Sequence, residues 1–363
     1  MRVRRLWLND FRSYATADVE LAEGLTVILG ANGQGKTNLL EGLAYLATLS
    51  SFRGAPADAL IRDGAASAVV RAEGEREGRQ ILIEAEVVAS GRSRVQINRQ
   101  RLQRARDLLG ALRVTVFSPD DLALVKGGPA ERRRYLDDTL VALHPRHDQL
   151  RSDVERVLKQ RNALLKQAAG GSRLDEAAAF TLDVWDMKLA ESGEALATAR
   201  RGLVNRLEPS ASDAYGSLAA DSGGGAVEAR YDSAWEKVGL AAALAAARRD
   251  DLRRGVTTVG PHRDDLQLTI AGLPARTHAS QGEQRSLALA LRLASHQIVT
   301  ADTGTAPILL LDDVFSELDP SRSDSLLHHL PRGQSILTSA AGLPAGAEPD
   351  RILRLERGLV VSA

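Results

Sequence analysis

The pattern of apolar and polar positions changes period near residue 30. Residues 25 to 29 (LTVIL) form a short apolar run rich in strand-formers, and residues 38 to 47 (NLLEGLAYLA) carry apolar positions at helical spacing. Between them stands GANGQGKT, so a strand, a glycine-rich loop and a helix are predicted in that order. A second run, PILLL at 307 to 311, reads as a strand buried on both faces of a parallel sheet and ends on Asp312 and Asp313. Just upstream, residues 287 to 298 are periodic like a helix and follow the segment SQGEQR. Further strands are predicted at 114 to 117 and 334 to 337.

In the middle of the chain, Leu150, Val154, Val157, Arg161, Leu164 and Ala168 follow alternating steps of four and three, as do Leu182, Trp185, Leu189, Ser192 and Leu196. Gly170, Gly171 and Ser172 separate the two runs. Two antiparallel helices of about 20 to 25 residues, on the order of 30 to 40 Å long, are expected. A helical lobe with two buried faces and a short projecting arm both satisfy this pattern. A long coiled coil does not.

Composition narrows the class. A chain of 363 residues has room for roughly two domains of about 150 residues each. No apolar run approaches about 18 residues, which argues against a membrane span, and no export signal is visible. The absence of cysteine excludes disulfides and thiolate zinc sites and suits the cytoplasm. Lys plus Arg (47) equals Asp plus Glu (47), so nucleic acid would be met by local patches and not by a global field.

The chemistry follows from the spacing. In GANGQGKT, Gly30, Gly33 and Gly35 let backbone N–H groups of the segment Gly30, Ala31, Asn32, Gly33, Gln34, Gly35 close around phosphate oxygens at a helix N-terminus. Lys36 is placed to reach the β and γ phosphates of ATP, Thr37 to ligate Mg²⁺, and Asn38, next on the helix, is counted with the nucleotide-binding residues. Asp312 is the expected Mg²⁺ partner, and Asp313 is placed to polarise an attacking water. In SQGEQR, Ser280 and Glu283 also read as an ordinary capping box. Gly282 is out of place in a first helical turn, where it costs roughly 1 kcal/mol relative to Ala, so a bare backbone is expected to serve something there.

The order of phosphate loop, S-x-G-x-x before a helix, and acid-tipped strand resembles the ABC-type ATPase family. That resemblance implies an α/β head in which the signature of one copy, Ser280, Gln281, Gly282 and Glu283, closes on the γ-phosphate held by another. Ser316 and Asp319, in SELD, match the loop that crosses the dimer interface. Lys36, Ser280 and Asp313 are then the catalytic set. Transporter ATPases reach their signature sooner and offer a histidine where this chain has Thr338 and Ser339. Chromosome-organising SMC proteins insert far longer heptad segments.

Further segments resemble the RecF branch of the family: residues 6 to 14 (LWLNDFRSY), 51 to 53 (SFR), 118 to 121 (SPDD), 127 to 137 (GGPAERRRYLD) and 260 to 266 (GPHRDDL). Arg12, in the first of these, joins the nucleotide-binding set. The branch implies a cytoplasmic, nucleoid-associated recombination mediator, an ATP-dependent homodimer on double-stranded DNA or double-strand/single-strand junctions. It would help RecR and RecO load RecA at gaps. Asp313, one methylene shorter than the glutamate of many relatives, implies slow turnover suited to a switch. An SMC-like structural tether and, behind it, a transporter-type subunit are the competing readings.

For DNA, Arg92, Arg94, Arg99 and Arg101 crowd one stretch, with Arg104 and Arg106 beyond, and alternation would put Arg94, Gln96 and Asn98 on one face. Arg132 and Arg133 open a second cluster. Each reads either as a phosphate-tracking patch or as a solvated or internally paired face. Aromatic content of 4% disfavours base stacking and favours backbone contacts to duplex. His144, His147, His328 and His329 read as structural or surface residues. The expected architecture is an α/β ABC-type head built from residues 1–125 and 256–363, with a mostly helical lobe inserted at 126–255.

Overall fold

The computed structural model describes residues 1–91, 93–169, 176–219, 225–356 and 359–362. The glycine break expected at 170–172 lies outside the described residues. Two compact units are present. One, the head, comprises Met1–Leu122, Ser210–Gly225 and Gln281–Ala363, and the other, the lobe, comprises Ala123–Pro209 and Ala226–Ser280.

The head contains two six-stranded sheets. In the first the spatial order is Leu359–Ser362, Arg351–Glu356, Leu25–Leu29, Ser335–Ser339, Ile308–Asp312 and Val114–Phe117. All its neighbours pair in parallel except the outermost pair, Arg351–Glu356 with Leu359–Ser362. Ile308–Asp312 and Ser335–Ser339 are buried at every position, which is why the first reads as an unbroken apolar run up to Asp312, while the second keeps Ser335, Thr338 and Ser339 among its buried positions. The second sheet is antiparallel, in the order Tyr14–Glu20, Arg2–Phe11, Ser67–Arg76, Arg79–Val88, Arg94–Ile97 and Gln100–Arg101.

The Lys36–Thr48 helix packs into a core shared with both sheets. Leu39, Leu40, Leu43 and Leu46, each at most 2% exposed, meet a cluster that includes Leu8, Phe11, Val70, Leu310 and Ile336. Burial of each leucine contributes about 2 kcal/mol before the entropy of ordering is subtracted. The Gln334 side chain adds a polar tie. It accepts from the Val3 N–H at 2.8 Å and donates to the Ala22 carbonyl at 2.7 Å.

The lobe holds the helices Pro129–Leu143, His147–Ala169 and Leu240–Arg254, and most of Glu176–Leu218. It also holds a three-stranded sheet, Leu273–Pro274, Asp265–Ile270 and Val227–Asp232. Two expectations change here. The first long helix has 23 residues, as the spacing predicts, but the second runs for 43. Beyond Leu196 the buried positions continue as Arg200, Leu203, Leu207, Ala211, Ala214 and Leu218, still in steps of three and four, and Pro209 does not end the helix. The lobe also reaches Ser280 instead of 255, because Asp265–Ile270 pairs with Val227–Asp232 along its whole length.

Candidate nucleotide-binding site

The phosphate loop stands in the head between the strand Leu25–Leu29 and the helix Lys36–Thr48. Gly35, at φ 99°, occupies the left-handed region, and a Cβ there would also meet the Tyr14 hydroxyl at 2.8 Å. That hydroxyl donates to the Gly35 carbonyl at 3.1 Å, and Asn38 donates to Ser13 Oγ at 2.9 Å, so the turn after the first strand braces the loop from below. Lys36 is buried, with Nζ donating to the carbonyls of Gly30 at 2.7 Å and Ala31 at 3.1 Å.

The acid-tipped strand comes to this loop. Thr37 Oγ1 donates to Asp312 Oδ1 at 2.9 Å, and Thr338 Oγ1 donates to the same oxygen at 2.8 Å. Thr338 lies on Ser335–Ser339, the single strand between the loop's strand and the acid's strand. Its hydroxyl also accepts from the Asp313 N–H at 3.0 Å. Burial pushes the Asp312 carboxyl above the ordinary carboxylate range; the two threonine hydroxyls and, more weakly, the charge of Arg53 pull it back, while Asp313 pushes it up. Asp313 itself sits at φ 49°, ψ 26°, a left-handed conformation that costs a non-glycine residue about 1 kcal/mol and aims it out of the strand line.

The pair Thr37 and Asp312 supplies hard oxygen donors at one point, the donor chemistry that Mg²⁺ takes together with phosphate oxygens and water. Among the described residues there is no cluster of three or more His, Asp or Glu suited to hold a metal alone. A phosphate-assisted Mg²⁺ site fits both facts. The signature helix Gln281–Thr303 begins directly after Ser280, and Ser280 and Gln281 are exposed. Ser316 donates from Oγ to the Asp313 carbonyl at 2.7 Å, and Asp319 caps the helix Pro320–His329.

A match to the family model described as RecF/RecN/SMC N terminal domain covers residues 2–339. The DNA replication and repair protein RecF of Streptomyces avermitilis is 46% identical over 357 residues, spanning 94% of each chain. The chain belongs to the RecF family. The RecF of Kineococcus radiotolerans is 43% identical, spanning 97% of each chain. The solved structure of the recombination mediator protein RecF with ATP in the RecFOR pathway superposes with a TM-score of 0.90 at 30% identity, covering 100% of this chain and 97% of that one. An Smc head bound to the C-terminal winged-helix domain of ScpA shares the fold, at a TM-score of 0.56 and 20% identity, covering 100% of this chain and 98% of that one. The ABC-type α/β head expected from the motifs is therefore the fold of this RecF-family chain.

The packing gives several of the expected site residues partners within the chain. Arg12 donates from Nε and Nη2 to Glu41 at 2.8 Å each and from Nη1 to the Ala59 carbonyl at 2.8 Å. Glu41, fully buried on the loop's own helix, also accepts from Ser51, so Arg12 braces that helix. Arg132 is a buried residue paired with both oxygens of Asp265 at 2.7 and 2.8 Å, and Arg133 donates to the Asp264 carbonyl at 2.7 Å. The internally paired reading holds for that cluster, through a partner that the sequence reading does not name.

In the other cluster, Arg92 lies outside the described residues. Asn98 is not on the strand. With Arg99, at φ 51° and 66°, it makes the two-residue turn between Arg94–Ile97 and Gln100–Arg101, and its Oδ1 accepts from the Leu82 N–H at 2.8 Å. Arg94, Arg99 and Arg101 are exposed on the edge of the antiparallel sheet, Arg94 with a 3.7 Å approach to Glu86. The contacts of Thr338 with Asp312 and Asp313, and of Tyr14 with Gly35, are the parts of the site that the sequence does not show. A hydroxyl near the carboxyl end of a buried strand beside the acid strand is the signal that points to the first.

Proposed function

We propose that this chain is an ATP-controlled DNA-binding recombination mediator. Two copies close head to head around ATP on duplex DNA or at a double-strand/single-strand junction, and slow hydrolysis releases them. The relatives' description as replication and repair proteins, and that of the solved relative as a recombination mediator in the RecFOR pathway, support a partnership with RecR and RecO in loading RecA. The observation that carries the reading is the meeting of Thr37 with Asp312 beside a braced phosphate loop, while Ser280 and Gln281 remain exposed to receive a second copy.

The residues divide the work. Backbone N–H groups of residues 30 to 37 and the Lys36 ammonium bind the phosphates. Thr37 and Asp312 would hold Mg²⁺, which when bound neutralises charge developing on the phosphoryl oxygens. Asp313, held out of the strand line, accepts a proton from the attacking water. Thr338 fixes Asp312 and the Asp313 backbone together. Ser280 and Gly282 of the second copy close the site with the N-terminus of their helix. Arg94, Arg99 and Arg101 follow the DNA backbone. Among the described residues no helix is long and apolar enough to cross a membrane.

Sedimentation of wild type, Ser280→Arg and Asp313→Asn with Mg-ATP and duplex DNA tests the reading. Wild type is expected to dimerise, Ser280→Arg to stay monomeric, and Asp313→Asn to remain as DNA-bound dimers. Normal dimerisation and turnover by Ser280→Arg would overturn the clamp.

A further inference from the structure

The sequence leaves one question about the signature: why its first turn tolerates glycine. A Cβ built on Gly282 would lie 2.7 Å from Nη1 of Arg322, 3.0 Å from Nη2 and 3.1 Å from Cζ. The guanidinium therefore packs directly on the backbone of that turn. Arg322 belongs to the first turn of Pro320–His329, where its backbone N–H donates to Asp319 Oδ1 at 2.9 Å and its Nη1 to Asp319 Oδ2 at 2.7 Å. The Asp319 carboxyl is held below its usual range, first by that backbone N–H. A cation at the start of a helix opposes the helix dipole, so this placement needs an anionic partner, and Asp319 is one.

The contacts extend further. Ser316, at the start of the same loop, is bonded to the Asp313 carbonyl. One side chain thus touches the signature glycine and the loop residue expected to meet a second copy, while the other end of the loop is anchored on Asp313, the proposed general base. We propose that Arg322 is a positioning residue that locks the loop bearing Ser316 and Asp319 onto Gly282, so that both interface elements reach the second copy as one rigid body. This inference rests on the clamp reading above. A Cβ at 282 would push the guanidinium off this position, so the bare backbone is what lets Arg322 pack there, and lysine cannot replace Arg322 fully because it lacks the planar fork.

The test measures ATP-dependent dimerisation by sedimentation, protomer affinity for a fluorescent ATP analogue, and Tm, for wild type, Arg322→Ala, Arg322→Lys, Gly282→Ala and the double variant Gly282→Ala/Arg322→Ala. Arg322→Ala should keep analogue affinity within about twofold while weakening dimerisation about tenfold or more, and Arg322→Lys should recover part of the loss. Gly282→Ala should raise Tm in the Arg322→Ala background, where helix propensity acts alone, and raise it less or lower it in wild type. Wild-type dimerisation by Arg322→Ala, or an equal Tm effect of Gly282→Ala in both backgrounds, overturns the lock. A wild type that stays monomeric with Mg-ATP sinks the clamp reading instead, and the Tm comparison still decides whether Arg322 and Gly282 are coupled.

Discussion

Thr37 and Asp312, 275 positions apart in the chain, are joined by a 2.9 Å hydrogen bond from hydroxyl to carboxylate. The bond closes the ATP site from two distant segments, and it does so by burying a carboxylate that also faces Asp313.

Asp312→Asn should therefore trade function for stability. Burial raises the Asp312 pKa, so the ionised form is less stable in the folded state than in the unfolded one. That penalty is absent at acid pH, develops as pH rises from the ordinary carboxylate value to the raised one, and is constant above it. Removing the charge while keeping an oxygen for Thr37 and Thr338 should stabilise the nucleotide-free protein by about 1 kcal/mol at pH 8. Denaturant melts at pH 8 and at a pH below the carboxylate titration should show the gain at the first and none at the second. Mg²⁺-dependent ATP affinity should fall by at least about tenfold in the same variant.

Thr338→Val keeps the shape of the side chain and removes the hydroxyl that donates to Asp312 and accepts from the Asp313 N–H. Stability should drop by about 1 to 2 kcal/mol, since a buried N–H loses one of its acceptors. Loss of a donor to the carboxylate should also raise the Asp312 pKa further. The acid limb of the kcat/KM profile for ATP hydrolysis should then move to higher pH. An unmoved limb would mean that Asp312 is not the group titrating there.

The strands at 25–29, 114–117 and 308–312 and the loop between 30 and 37 were legible because local composition alone decides them. A strand buried on both faces reads as an unbroken apolar run, and a phosphate loop requires glycine and Lys-Thr at fixed spacing. The partners were not legible. Whether Arg132 meets DNA or Asp265 depends on a strand more than a hundred residues downstream, and arginine looks the same in either place. The reach of the Glu176–Leu218 helix is hard to see in the sequence although its three-and-four spacing persists, because Pro209 lies within it and proline ordinarily ends a helix. Gly282 announced that something approached it, but only the fold shows that the visitor is Arg322.

The two arginine clusters should separate cleanly in experiment. Arg99→Ala and Arg101→Ala, on an exposed sheet edge, should each weaken duplex binding and lower the salt slope of log K by about 1, with Tm unchanged. Arg132→Ala should instead cost about 3 kcal/mol of stability by leaving Asp265 without its partner, while the folded fraction binds DNA with an unchanged salt slope.

His296 sets a pH limit on the head. It lies 2% exposed on the signature helix, with Nδ1 3.1 Å from Thr115 Oγ1 and Nε2 without a hydrogen-bond partner. Burial alone lowers its pKa from 6.5 to about 4. In the unfolded chain the imidazole takes up a proton as pH falls below about 6.5, whereas in the folded chain it stays neutral until about 4, so the unfolded state binds more protons across that window. Stability should consequently fall by roughly 3 kcal/mol between pH 7 and 4 from this one group. His296→Gln, neutral throughout and able to bond Thr115, should flatten that part of the curve in urea titrations at a series of pH values. A wild-type slope that persists in the variant would assign the acid sensitivity to other groups.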